Sequence, residues 1–212
     1  MRDSLADWLT ALGTVGAVLV ALFREPLMAW WRSPRLEVEF EQDEPFCRHS
    51  KIAAEVDHRT GEVRDVRPPC PAYWIRLRLK NSKRFRILGG SVAKKCEGKL
   101  AAVRAARLER QPEYDPAVLH WVSRGRRGAH AYESIDLNYG EEEYLNVFHT
   151  EEARLVAFID TDPELRGTPS VLPPGEHYLD ITIYGENFGP VQTRLHVQWD
   201  GERYDRITVI KL

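Results

Sequence analysis

The chain has 212 residues, of which 43% are hydrophobic and 29% charged, and its 30 basic and 32 acidic side chains leave a formal charge of -2. This balance demands no polyanionic partner, and the composition is that of a folded protein without low-complexity segments. The cysteines, Cys47, Cys70 and Cys96, are odd in number and lack CxxC spacing, which excludes a regular disulfide framework and fits a reducing compartment.

The first element is an uncharged apolar run from Trp8 to Phe23. Sixteen helical residues reach about 24 Å, short of the roughly 30 Å hydrocarbon core, so the span needs Leu5 and Ala6 at one end and a snorkelling Arg24 at the other. Trp8 at one edge and Trp30 and Trp31 at the other match an interfacial aromatic belt, with Phe23 closing the apolar run. Pro26 is placed to kink or restart the helix. Arg24, Arg32 and Arg35 follow the run, whereas Arg2 is offset by Asp3 and Asp7 before it. The positive-inside rule therefore predicts a single-pass anchor with its N-terminus outside and the rest cytoplasmic. A cleaved signal peptide fits less well, because Arg24-Glu25-Pro26 follows the run in place of small residues. Gly13, Ala17 and Ala21 recur every four residues, a spacing that lines up small side chains and suits homodimerisation of membrane helices.

Residues 1–35 thus read as anchor and juxtamembrane segment, and residues 36–212 as one soluble domain with a substantial core. Strict alternation in Arg35–Glu41 and in Tyr73–Lys80 predicts half-buried strands. Ile52–Asp57 and Glu62–Val66 flank a hairpin turn at His58–Gly61, before a break at Pro68-Pro69-Cys70-Pro71. Further strands are predicted over Phe85–Ala93, Ser134–Asn138, Tyr144–His149, Leu155–Asp160, His177–Tyr184, Val191–Trp199 and Tyr204–Leu212. Asp200-Gly201 reads as a two-residue hairpin turn, and the alanine-rich Lys99–Arg110 as the one helical stretch of the domain. Many short strands separated by turn signals predict a mainly β fold, a sandwich or alternatively a barrel, behind one membrane helix.

The strand Tyr73–Asn81, Cys96, Leu119-His120-Trp121 and Pro174–Tyr178 together resemble the layout of uncharacterised bacterial single-pass membrane proteins with a cytoplasmic immunoglobulin-like β-sandwich domain. The resemblance covers most of the chain at scattered positions. It implies that architecture and a bacterial inner-membrane location, and no activity.

Between Arg76 and Arg110 twelve basic residues face only Glu97 and Glu109, while Glu133–Asp180 is acidic. Alternation puts Arg76, Arg78 and Lys80 on one strand face, and Lys83, Arg84 and Arg86 follow at the connecting turn. Such a face suits anionic lipid headgroups or a nucleotide, or else is a solvated surface neutralised by the acidic half. Nucleic acid fits less well, since few aromatic residues here could stack bases.

Motifs for phosphate loops, nucleophile elbows, zinc proteases and dinucleotide folds are absent from the sequence. Asp160-Thr161-Asp162 at a strand end is the nearest approach to a cation site, and Cys47-Arg48-His49 with Cys70 and Cys96 to a zinc site. Both read better as an ordinary turn and as core cysteines. The expected function is a non-enzymatic, membrane-tethered binding or sensing module without cofactor or metal. The alternative is a ligand-gated membrane effector, as in antiphage defence, in which the β domain clusters the membrane helix.

Overall fold

A computed structural model describes residues 2–56, 63–82, 91–105, 116–124, 129–152, 154–161 and 171–212. The chain opens with helix α1 (Arg2–Arg32), about 46 Å long at 1.5 Å per residue. It continues through Pro26, where the sequence suggested a kink or restart. The missing proline N–H removes a single backbone bond, which a long helix tolerates. Its segment Ala11–Met28 is long and apolar enough to cross a membrane, and none of it is buried against the rest of the protein. Ser33 and Pro34 alone separate the helix from the first strand.

Twelve strands follow among the described residues: β1 (Arg35–Glu39), β2 (Cys47–Val56), β3 (Val63–Ser82), β4 (Ala93–Ala105), β5 (Ala117–Val118), β6 (Ile135–Leu137), β7 (Glu142–Glu151), β8 (Arg154–Ile159), β9 (Val171–Leu172), β10 (Gly175–Tyr184), β11 (Val191–Trp199) and β12 (Ile207–Lys211). One antiparallel sheet runs β1-β3-β7-β8-β9. In it, β1 and β2 lie end to end along one edge of the long β3, pairing with residues 78–82 and 63–75, and β7 takes the other edge. The second sheet runs β12-β11-β10-β4-β5, with β6 beside β5 on the edge of β4.

Period-two patterns explain most of these strands. In β11 Thr193, Leu195, Val197 and Trp199 are buried while Gln192, Arg194 and Gln198 are exposed. In β3 Ile75, Leu77 and Leu79 are wholly buried, and they join Leu179, Ile181, Leu195 and Val197 of the other sheet in one core. Each such aliphatic side chain taken from water contributes about 1.5–3 kcal/mol.

Among the described residues, two seams join the sheets. Along one, the segment after β5 bridges to the first sheet at Leu119↔Thr161 and Trp121↔Leu145. The N–H of His120 donates to Asp160 O (3.2 Å), and the N–H groups of Val122 and Asn146 donate to Tyr144 O and His120 O (2.8 and 2.9 Å). Along the other seam, side chains close the gap. Gln42, just past β1, bonds the edge of β12, and Lys211 donates to Val38 O.

Three local expectations need correction. The stretch from Lys99 is strand as far as Ala105, because eight residues of β4 pair with β10 and that ladder outweighs alanine's helical preference. Pro68–Pro71 does not break β3. The β2–β3 ladder steps from Ile52↔Cys70 to Ala54↔Asp65, so Pro68 and Pro69 fall in an irregularity where no N–H is required. Asp200-Gly201 is not a two-residue hairpin turn, since residues 200–206 separate β11 from β12. There the Trp199 indole donates to Arg203 O (3.0 Å) and Asp200 accepts from the Glu202 N–H (2.9 Å), a wider loop built around a buried ring. The strand expected over Phe85–Ala93 meets the described residues at Ser91–Ala93, where β4 begins at Ala93.

Candidate functional site

The outer face of β3 carries Arg76, Arg78 and Lys80 side by side, as alternation requires. Their surroundings come from the neighbouring strands. On one side the Arg78 Nε donates to Glu39 of β1 (2.9 Å), and on the other its Nη1 lies 3.4 Å from Glu142 of β7. Lys80 Nζ donates to the second oxygen of Glu142 (2.7 Å). Hydrogen bonding to Glu39 raises the Arg78 pKa, and hydrogen bonding to Glu142 raises that of Lys80. Reciprocally, the Lys80 ammonium holds the Glu142 carboxyl below its usual range. Arg76 donates to Asn146 Oδ1 (3.0 Å) and lies 5.9 Å from the Trp74 ring centre. Three cations therefore share their face with two carboxylates, and the pairs sit at the surface where each contributes little and salt screens it. Lys83, Arg84 and Arg86 lie outside the described residues.

Further along the same face an aromatic ladder crosses three strands. Trp74 of β3 stacks on His149 of β7 (4.1 Å, 18°), and His149 stacks on Phe158 of β8 (5.5 Å, 25°). The Arg154 guanidinium lies 5.7 Å from the Phe158 ring, so cations stand at both ends. His149 Nε2 is 3.4 Å from Glu151. Trp74 and His149 are buried, so this ladder is packed structure and not an open platform.

Beside it, His120 receives Asn146 Nδ2 at its Nδ1 (3.1 Å), with Asp160 Oδ2 at 3.5 Å. His120 and Asp160 are almost fully buried, and Arg76 reaches the cluster through Asn146. Asp160 thus lies beside a buried histidine at a sheet seam, and Asp162 lies outside the described residues. Among the described residues no group of three or more histidine, cysteine or carboxylate side chains is arranged to hold a metal. The three cysteines are free thiols, with Cys47 and Cys96 buried. Burial, reinforced by Asp136, pushes the Cys96 thiol up to about 12, and burial likewise raises Cys47.

The anchor residues are disposed as follows. Trp8, Phe23 and Trp31 are exposed on α1. Gly13, Ala17 and Ala21 follow at four-residue spacing on the unbroken helix, and a Cβ at Gly13 would meet nothing within 4 Å. Trp30 lies in the same helix, and its side chain is outside the described residues.

Where the helix meets the domain there is a cleft of about 310 Å³, walled by Pro34, Arg35 and Leu36 on one side and Phe188 and Val191 on the other. The turn bearing Phe188 is fixed to the start of β4: the Glu186 N–H donates to Lys94 O (3.1 Å), Asn187 Oδ1 accepts from the Lys94 N–H (3.0 Å), and Asn187 Nδ2 donates to Val92 O (2.8 Å). Lys95 is ion-paired with Glu186. Sequence reasoning missed this cleft because its two walls lie about 150 residues apart in the chain. Phe188 in the Gly185–Gly189 turn was the signal available. A large aromatic ring in a turn needs something to pack on, and Phe188 lies over Gly185 and against the core.

No protein-family model matches the chain, and neither a curated protein nor a solved structure does.

Proposed function

We propose that this protein is a single-pass membrane protein whose β domain is a non-enzymatic binding or sensing module held against the cytoplasmic face of a bacterial inner membrane. The observation that carries this reading is a pairing. An apolar helix whose span is unburied among the described residues is joined by two residues to a domain whose own apolar side chains form a core. A helix with so much exposed apolar surface, including Leu12, Val20, Leu22 and Phe23, is stable in lipid and not in water. The excess of arginine after the span supports the cytoplasmic orientation, and three free thiols accord with a reducing compartment. Two antiparallel sheets around one core support an immunoglobulin-like sandwich and the kinship with bacterial proteins of that layout.

The ligand class we propose is anionic. Arg76, Arg78 and Lys80 share a face, though Glu39 and Glu142 offset part of their charge. Lys83, Arg84 and Arg86 follow Ser82 in the sequence, and Ser82 pairs with Arg35, three positions after the helix.

Membrane fractionation of the full chain tests the proposal. Wild type should resist carbonate extraction. Two lysines introduced at Leu12 and Leu19 should release it, because each charge near the middle of a span costs about 2.5–3.5 kcal/mol. Wild type washed off by carbonate would refute membrane insertion.

A further inference from the structure

We infer that the cleft between the juxtamembrane segment and the β10–β11 turn seats an anionic phospholipid, with Arg35 taking the phosphate and the half-buried Phe188 and Val191 taking the apolar glycerol-ester region. The inference rests on the reading that α1 spans a membrane. Depth is the first argument. The apolar segment ends at Met28, and four helical residues beyond it, about 6 Å, bring the chain to Ser33 at headgroup level, since headgroups add roughly 5–7 Å on each side of the hydrocarbon core. The two-residue connection then leaves the mouth of the cleft no room to withdraw from the bilayer surface.

Chemistry is the second argument. A cleft that presents the half-buried Phe188 and Val191 beside one exposed cation is complementary to an amphiphile bearing one negative group. Arg35 is 61% exposed in its side chain, and its Nε is 3.4 Å from Glu37, so much of the guanidinium faces outward. A guanidinium binds a phosphate through paired N–H donors. Preorganisation is the third. The Phe188 turn is held to β4 by its own hydrogen bonds and the Lys95–Glu186 ion pair, so this wall needs no ordering when a lipid enters. The turn also brings exposed Lys94 to the same end of the domain. Phospholipid is the amphiphile present at high local concentration at that depth, which is why we assign it over a soluble anion.

The test uses the full-length protein in nanodiscs of phosphatidylcholine and of an equimolar phosphatidylcholine–phosphatidylglycerol mixture, with co-released lipids counted by native mass spectrometry. Wild type should retain phosphatidylglycerol over phosphatidylcholine by about fivefold, the enrichment expected from one basic contact at a membrane surface. Arg35→Glu should abolish the preference. Gly189→Leu should do so too by filling the cleft, since a Cβ at Gly189 meets nothing within 4 Å and the fold should tolerate it. Arg203→Glu, on the loop at the far end of β11, should leave the preference intact. Equal retention of the two lipids, or a preference surviving both cleft variants, would overturn the lipid seat while leaving the anchor standing. Failure of wild type to enter nanodiscs would overturn the anchor and the seat together.

Discussion

The side-chain amide of Gln42 bonds the open edge of β12 twice, donating to Ile207 O and accepting from the Val209 N–H, each at 2.7 Å. One glutamine thus does for this edge what a neighbouring strand would do. It closes the second seam between the sheets and leaves less of the ladder free to pair with another chain. Replacing Gln42 with Ala should strand a carbonyl and an amide and cost about 1–3 kcal/mol, seen as a lower denaturant midpoint at unchanged slope. Gln42→Glu should not restore stability, because a carboxylate cannot donate to Ile207 O. An unaltered midpoint in Gln42→Ala would show that water replaces the amide without loss.

The first seam depends on the lack of a side chain. A Cβ at Gly98 of β4 would fall within contact distance of both methyl groups of Leu145, itself fully buried. Gly98→Val should therefore overpack the core and cost about 1–3 kcal/mol, in part recovered by adding Leu145→Ala. Thermal denaturation of the single and double variants checks this. Additive losses would mean the two positions do not share the space.

Much of the fold is legible in the sequence where one local signal suffices. Val191–Trp199 is strand at both predicted ends, since its alternation is unbroken and turns flank it. Leu36 and Val38 likewise face inward from a strand that ends two residues earlier than its pattern suggested. What stays hidden depends on distant partners. Lys99–Ala105 is alanine-rich, and its ladders with β10 and β5 make it a strand. The basic face was visible in Arg76, Arg78 and Lys80. That Glu39 and Glu142 would flank it was not, because they come from strands whose pairing with β3 no local pattern encodes. The Trp74–His149–Phe158 ladder and the cleft beneath the anchor were hidden for the same reason.

The acid limb of stability should be sensitive to Glu142. Its hydrogen bond from Lys80 lowers its pKa in the folded state, relative to about 4.3 for an unperturbed glutamate. The stability this group lends is then fully present above the unfolded value and is lost as pH falls through the lower folded value. Glu142→Gln should flatten the thermal midpoint between neutral pH and the acid range and free Lys80 for anions. Tighter sedimentation of Glu142→Gln with phosphatidylglycerol vesicles would show that release, and identical acid limbs in variant and wild type would contradict the coupling.

Thiol labelling reads the core directly. Cys47 and Cys96 are buried with raised pKa values, so both are protonated at neutral pH and shielded from reagent. Cys70 is only partly buried. Iodoacetamide on native protein should label Cys70 first and the other two only with unfolding, as resolved by peptide mass spectrometry. Early labelling of Cys96 would contradict its place in the core.

Membrane topology is the most direct test of the central claim, that the β domain is tethered on the cytoplasmic side. The measurement is a pair of C-terminal fusions to the full chain expressed in bacteria, one to alkaline phosphatase and one to a green fluorescent protein. A cytoplasmic domain gives an inactive phosphatase and a bright fluorescent fusion, both in the membrane fraction. An active phosphatase with a dark fluorescent fusion would place the domain outside the cytoplasm and contradict it.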